Sequence, residues 1–554
     1  MKFTKILCLI LSAVLMLSCF SIPAVAEDDV LGDVNKDGVV DIADILLLRK
    51  HIVGIYVLNE ISLTNADVDV SSVVDVLDLL FLRKYLLGVI NSFDQVKADA
   101  NLLDNVSNLE IEAEYLGNPA ASHYTKYDTA HNYAKNAWDM AVKDGKVLIS
   151  SGNYNDNTGN VPIFYYTNDS TTFEKCDHSN GAGLSSEEIK RFFKIDGEIY
   201  ATATDPLGMN QGTYYWYDSA KNRWQHYDIL SYGIHIYDMV EYNGKVFFGG
   251  MYRHSSNSDW VTSCVQYLDK KDLRGSKMSS TVKFYYKDGT EFNVSSYVYN
   301  GKTYYEHDYW RCYDMFVFKD ELYAIHNGSS TYTCTTVSGL FKYDEANNKF
   351  VMVYDGKTIR GANAVTRHST FRNHADENGY YVENALLCYY DFNNNSYIRG
   401  GLVYGDEVVS SEFMMGAEIV TDDTLVAVCN GIFKSSNVEK TSGAFEEVSL
   451  GEGNEKYVVR DAFELEGKYY FLASQMNGSN DFTTTIFQTN RYFNKFTKVL
   501  SFKTPSFARS FAYNAGCLYV GLGGNGTIDN AGQSSPSSSY AGRIYRVDLK
   551  DYTN

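Results

Sequence analysis

A small α module of two calcium-loop/helix repeats, followed by an all-β domain in the form of a seven- or eight-bladed β-propeller, is the fold this sequence predicts. Three observations carry it: an acidic loop pattern that occurs twice near the N-terminus, a change of texture beyond residue 108, and a hairpin unit that recurs to the end of the chain. At 554 residues the chain exceeds what one ordinary core accommodates, so separate folding units are expected.

The first segment reads as an address. Lys2 and Lys5 precede an apolar run from Ile6 to Ile22, and Ala24-Val25-Ala26 before Glu27 is a small-x-small cleavage site. Residues 1–26 are expected to be a signal peptide, and the mature protein to be secreted and extracellular. The run is marginal in length for a membrane anchor, and no other segment is long and apolar enough to span a bilayer. Beyond it remain Cys176, Cys264, Cys312, Cys334, Cys388, Cys429 and Cys517, widely spaced and in no CxxC pair, which reads as small core residues rather than a disulfide framework or a zinc site. A formal charge of −20 repels phosphate backbones and anionic lipid, so no nucleic acid and no membrane partner is expected, whereas calcium and neutral glycans are compatible. Tyrosine is abundant, 46 against 5 Trp, and strand packing accounts for it more simply than sugar stacking.

Residues 33 to 44 place Asp33, Asn35, Asp37, Asp41 and Asp44 at loop positions 1, 3, 5, 9 and 12, with Gly38 at position 6. This is the chemistry of an EF-hand-like loop. A hard Ca2+ ion takes six or more oxygens; Val39 at position 7 lends a backbone carbonyl, and Gly38 permits the sharp turn. The pattern returns 34 residues later as Asp67, Asp69, Ser71, Val73, Asp75 and Asp78. The following helix repeats too: Ile45-Leu46-Leu47-Leu48-Arg49-Lys50 is echoed by Leu79-Leu80-Phe81-Leu82-Arg83-Lys84, and Gly54 by Gly88. One such unit cannot bury its helix alone, whereas two back to back can. Two Ca2+ sites follow, the second weaker, because Ser71 replaces an Asp or Asn and Ser72 replaces the turn glycine.

A loop feeding one helix, twice, with Asp at position 12 and an Arg-Lys pair on each helix, resembles the type I dockerin family over residues 31 to 90. The resemblance implies a calcium-folded module that binds a cohesin domain of a scaffoldin, as in cellulosomes. It also implies that partner choice is set at Ile42, Ala43, Arg49 and Lys50 in the first copy and at Val76, Leu77, Arg83 and Lys84 in the second. The family's familiar Ser-Thr at positions 10 and 11 is absent, so a different cohesin specificity class is expected.

The organisation read from the chain is therefore a signal peptide (1–26), a dockerin module (27–92), a polar linker (93–108) and a β-propeller (109–554). Within the last part, Trp138 to Ile149 is matched by Tyr237 to Phe248, Arg460 to Phe471 and Arg509 to Val520, and by the segments around Gly197 and Asp320. Each is an alternating hairpin about a tight turn, with weaker copies at Gly379 and Asp423. A second strand pair follows several turns, as in Leu340–Asp344 leading to Phe350 and Tyr215–Asp218 leading to Trp224, which is the arithmetic of four-stranded blades. The last unit lacks its fourth strand, and Leu109 to Leu116, orphaned before the first, can supply it. The blades loosely resemble kelch repeats and secreted bacterial propellers, a resemblance that supplies no catalytic residue.

Asp139, Asp238, Asp314 and Asp461 share one slot, six residues before the turn, in four blades. Either each accepts backbone N–H bonds from the neighbouring blade, or they ring a cation or sugar site together with His235, Asn153 and Asp156. No SxDxGxTW box, nucleophile elbow or HExxH motif is present, so catalytic residues stay unassigned. Two functions compete: a non-catalytic, polysaccharide-binding cellulosomal subunit in polysaccharide catabolism, and a carbohydrate-active enzyme, a glycoside hydrolase or polysaccharide lyase.

Overall fold

The computed structural model describes most of residues 30–553; the main stretches outside the description are 70–73, 94–100, 126–131, 153–158, 254–260, 292–295, 306–310, 328–338, 354–385, 409–416, 440–445, 451–456 and 524–538. The chain divides into two compact units, residues 1–101 and 102–554. Among the described residues no helix is long and apolar enough to cross a membrane.

In the smaller unit, α1 (Ile42–Ile52), α2 (Glu60–Ala66) and α3 (Val76–Leu86) follow the loops. Helices α1 and α3 are the expected pair; the short α2, capped by the Asn59 side chain on Ser62 N–H, is an addition the repeat did not announce. Both long helices end alike. Gly54 (φ 72°) and Gly88 (φ 68°) take the left-handed conformation, and the next residue's N–H reaches back to Lys50 O and Lys84 O respectively, each at 2.9 Å. Neither helix could be buried alone: Leu48 of α1 and Leu82 of α3 share one core with Val34, Leu58, Ala66, Val68 and Phe93.

In the larger unit the alternating pattern folds into antiparallel sheets. Among the described residues seven inner strands, Met140–Lys143, Phe192–Ile195, Gly233–Tyr242, Arg311–Phe318, Ala417–Val420, Val458–Leu465 and Ala508–Asn514, each open a unit, and we number these units as blades one to seven. Inner strands of successive blades are neighbours, including that of blade four with blade five and that of blade seven with blade one, so the ring closes. A three-stranded sheet, Leu386–Asp391, Ser396–Tyr404 and Glu407–Val408, lies between blades four and five in sequence. The outer strands of blades three and four, Ser280–Tyr285 and Lys349–Met352, pair in parallel and fuse these two blades into one eight-stranded sheet.

The expected turns are present. Six inner hairpins place two successive residues at positive φ, at Asp144-Gly145, Asp196-Gly197, Asn243-Gly244, Lys319-Asp320, Glu466-Gly467 and Ala515-Gly516, the geometry whose twist matches that of the strands. Asp423 lies in the corresponding turn of blade five, and Gly379 lies outside the described residues. Hydrophobic cores sit between adjoining blades; the one that joins Met140, Val147 and Ile149 to Ala512, Tyr519 and Ile544 seals blade one to blade seven. Tyr214, Tyr215, Tyr217, Tyr470 and Tyr519 are fully buried, so much of the tyrosine is packing. Cys176, Cys312 and Cys517 are free and buried.

The orphan segment closes the ring but divides its service. Glu114–Gly117 pairs antiparallel with Ile544–Asp548 as the fourth strand of blade seven, while Leu109–Glu110 adds in parallel to Thr497–Thr504 of blade six. Ahead of it, in the polar stretch, Leu102, Leu103 and Val106 are buried in the core that blades six and seven share. A chain begun at Asn118 should therefore melt more than about 5 °C below one begun at Asn101 in scanning calorimetry, because an edge strand and its apolar anchor are lost together. Equal melting temperatures would show that this closure contributes nothing.

Candidate functional site

In the smaller unit the position-12 carboxylates organise both loops by the same bonds. Asp44 accepts from the N–H groups of Asn35 and Asp41 at 3.0 and 2.7 Å; Asp78, 34 residues on, accepts from Asp69 and Asp75 at 3.4 and 2.7 Å. Both are fully buried. Asp33 accepts from Asp37 and Gly38, and Gly38 sits at φ 86°, where only glycine is unstrained. Asp41 caps α1 through Ala43 N–H. Asp67, Asp69 and Asp78 each bring one oxygen within 4.8 Å of the others. Burial raises Asp78 to about 7, and the Asp69 and Asp67 charges add to it. An all-oxygen, crowded carboxylate set of this kind fits a hard divalent cation. Ser71 and Val73 lie outside the described residues. Ile42, Ala43, Arg49 and Lys50 are exposed on α1, as are Val76 and Arg83 on α3, with Lys84 half-buried; Leu77 belongs to α3.

In the larger unit, a channel of about 490 Å3 runs between the inner strands of blades six, seven, one and two. Asp139 and Asp461 of the four slot aspartates line it, and three of the four do the same work. Asp139 accepts from its neighbour Met140 N–H at 2.7 Å and from Phe192 N–H of blade two at 2.6 Å. Asp461 accepts from Ala462 at 2.8 Å and from Phe511 of blade seven at 3.0 Å; Asp238 accepts from Met239 at 2.9 Å and from Met315 of blade four. Each carboxylate thus spends both oxygens on backbone and staples its strand to the next one. A register shift in the inner strand at Asp238, Asp314 and Asp461 turns the slot residue sideways.

Aligning the turns also exposes a residue that sequence reasoning passed over. Arg191 stands six residues before Gly197, in the aspartate slot of blade two. It lies 3.5 Å from Asp238, and its charge opposes the raised pKa of all four aspartates. Burial nevertheless dominates: Asp139 is lifted to about 6, Asp314 to about 7, and Asp461 well above its ordinary value.

His235 lies apart from this ring, where the loops of blade two meet the start of blade three. Its Nδ1 is 2.8 Å from Thr204 O and 3.4 Å from an oxygen of Asp205. Glu187 N–H bonds Asp205 O at 2.8 Å, and burial followed by the Asp205 charge raises Glu187 to about 7. Asp205 and Glu187 carried no sequence signal, for they lie in irregular loops outside the repeat. Asn153 and Asp156 lie outside the described residues.

Comparison with known proteins adds one assignment: residues 31–87 match the family described as the Dockerin type I domain, and this segment is a type I dockerin domain. No curated protein matches the chain. Among solved structures, the larger part of the chain is similar to the GH93 α-L-arabinofuranosidase of Fusarium graminearum (10% identity over 80% of this chain and 99% of that one, TM-score 0.33). It is also similar to the polysaccharide lyase Uly1 (11%, 70% and 98%, 0.35) and to the β-propeller domain of the Trilobed protease from Pyrococcus furiosus (6%, 65% and 82%, 0.30). Likenesses this distant bear on neither substrate nor chemistry.

The slot residues have a measurable signature. Because the native chain keeps the Asp314 proton at pH values where the unfolded chain has released it, stability falls as pH rises from about 4 to about 7. Asp314→Asn removes that ionisation. Its stability relative to the parent should therefore increase between pH 5 and pH 8, by on the order of 1–3 kcal/mol, read from urea midpoints. A difference independent of pH would show that Asp314 is not a strained carboxyl.

Proposed function

We propose that this chain is a secreted cellulosome-type component, in which the dockerin module (27–92) holds two Ca2+ ions and docks a scaffoldin cohesin, while the propeller (109–554) binds or acts on plant polysaccharide. The observation that carries this reading is the recurrence of one hydrogen-bond set, Asn35 and Asp41 on Asp44, then Asp69 and Asp75 on Asp78, in two copies of one loop. Buried carboxylates held this close to other acids repel one another and call for a counter-charge. When bound, Ca2+ would neutralise these carboxylates and lock each loop to its helix. The residues that would hold it are Asp33, Asn35, Asp37, Val39, Asp41 and Asp44 in the first loop, and Asp67, Asp69, Ser71, Val73, Asp75 and Asp78 in the second.

The exposed residues of α1 suit a docking face. Ile42 and Leu46 are 63% and 51% exposed in the turn and a half that precedes Arg49 and Lys50, and Val76 and Leu80 repeat the arrangement before Arg83 and Lys84. Apolar residues at the centre with cations at the rim are the composition of a specific interface. For three of the ring aspartates, two bonds each to backbone make a structural role the stronger reading, which directs the search for polysaccharide contacts to the loops about His235 rather than to the ring.

Two outcomes are expected. Removing calcium with EDTA should abolish the helical circular dichroism of residues 27–92, because the helices bury little without cross-linked loops; an unchanged spectrum would overturn the metal reading. In calorimetric titrations, Asp44→Ala should leave only the weaker of two sites and Asp78→Ala only the tighter. Identical residual affinities would contradict the ranking of the loops.

Exchanging Arg49 and Lys50 for Glu should slow association with a cohesin and reverse its salt dependence, since rim charges act chiefly on the encounter rate. Stopped-flow or surface kinetics at two ionic strengths read this directly, and rates equal to the parent in both this variant and the Arg83/Lys84 counterpart would remove these residues from the interface.

A further inference from the structure

The channel between blades six, seven, one and two has room in it because three of its inner strands carry alanine there. Ala141 of blade one, Ala462 of blade six and Ala512 of blade seven all line the space of about 490 Å3, which falls within the roughly 300–1,000 Å3 of small-molecule sites. The cavity extends from Asp139, Arg191 and Asp461 to Lys194 and Glu464, which stand three residues beyond the slot on the strands of blades two and six. Lys194 and Glu464 are exposed, so the mouth lies toward the hairpin turns. His235 lies the other way, three residues before the slot of its own strand.

The wall is braced from behind. Phe463 and Phe511 line the cavity with their ring centroids 4.4 Å apart. Phe511 belongs to the core that holds Leu102, Leu103 and Val106, and Phe463, Leu465 and Tyr513 pack against that same core. The Tyr513 hydroxyl accepts the Leu102 N–H at 3.0 Å, while Asp104 accepts from the Tyr470 hydroxyl at 2.9 Å and from Gln488 Nε2 at 2.7 Å. The segment ahead of the first blade is thus clamped onto blades six and seven, and it fixes the aromatic side of the cavity.

The charges select the ligand. Asp139 and Asp461 give both oxygens to backbone N–H groups, and Arg191 is opposed to Asp238 at 3.5 Å, so charge at the inner end is answered within the protein. At the mouth Lys194 and Glu464 have opposite signs, and a charged ligand would gain from one and lose to the other. A neutral ligand with hydroxyls escapes this conflict. Each hydroxyl donates and accepts, and so suits the Lys194 ammonium and the Glu464 carboxylate alike. The C–H faces of a sugar ring are apolar and match a phenyl wall.

We infer that this cavity is a binding subsite for the end of a neutral glycan, either a free short oligosaccharide or the terminus of a polymer; this deepens the polysaccharide reading above and rests on it for the choice of sugar over other neutral ligands. The ring aspartates shape the inner end of the subsite, and the residues beyond them make the contacts.

The test uses the full chain with calcium. Calorimetric titration with cello-, xylo- and manno-oligosaccharides, with oligogalacturonate and with coniferyl alcohol is set beside retardation in gels of the corresponding polymers. At least one neutral oligosaccharide should bind, more tightly than oligogalacturonate. Filling the space with Ala141→Phe or Ala462→Phe should weaken that binding by about 10-fold or more while the melting temperature stays within about 3 °C of the parent. Lys194→Ala and Glu464→Gln, at exposed positions, should each weaken it by about 2- to 10-fold, and they carry the test if a filling variant fails to fold. Unchanged affinity in the folded filling variants or in both mouth variants, preference for oligogalacturonate, or binding of coniferyl alcohol alone would overturn the subsite. Retardation lost in a folded filling variant would show that polymers are held by their ends. Retardation without oligosaccharide binding would overturn the subsite and leave the polysaccharide reading standing, whereas neither retardation nor binding would overturn both.

Discussion

The constraint on which the larger unit depends is the joining of one inner strand to the next. Inner strands of successive blades are not paired in a hydrogen-bond ladder with one another, even where outer strands join blades three and four, so N–H groups that face the neighbouring blade need acceptors from elsewhere. Asp139, Asp238 and Asp461 supply them across three blade junctions, each with one oxygen on its own strand and one on the next. Several carboxylates gathered about one arginine cannot all ionise at low cost. Arg191, in the slot where four other blades carry aspartate, is the fixed charge that makes the ring tolerable, and burial still holds several of these carboxyls above their ordinary range.

The dockerin uses the same physical device in the opposite sense. Asp44 and Asp78 are as buried as the ring aspartates and bond backbone N–H in the same manner, yet their neighbours are further carboxylates rather than an arginine. Acids crowded together with no basic side chain among them repel one another, which is the charge arrangement the proposed ion would relieve.

How much of this was legible follows from where the repeats lie. The loop positions, both long helices with their glycine ends and six inner hairpins could be read directly, because each is a local pattern that duplication makes visible. The role of the ring aspartates could be narrowed to two readings but not chosen, since the choice depends on whether Phe192, Met315 and Phe511, 50 to 77 residues away, present their N–H groups. Helix α2 escaped notice because Glu60–Ala66 is short and belongs to neither repeat. Arg191 was visible only by asking which blade breaks the pattern. Asp205 and Glu187 sit in irregular loops whose shape is set by bridges to Gly152 and Pro206, and no periodicity reports such contacts.

This division directs attention to the loops rather than to the repeated positions. The repeated positions are committed: an aspartate that bonds two backbone groups cannot release them to take part in proton transfer without loosening two blades. The loops that connect strands are free of that duty, and here they are braced by the blades' own geometry, with Gly250 and Gly152 letting the histidine strand and the glutamate loop press against neighbouring backbone. Asp205 is the informative case. Its backbone carbonyl holds the Glu187 loop while its side chain faces His235, so one residue ties that loop to the inner strand of blade three. A main chain engaged in the scaffold can hold a loop side chain in a fixed place without the repeat having to supply that residue.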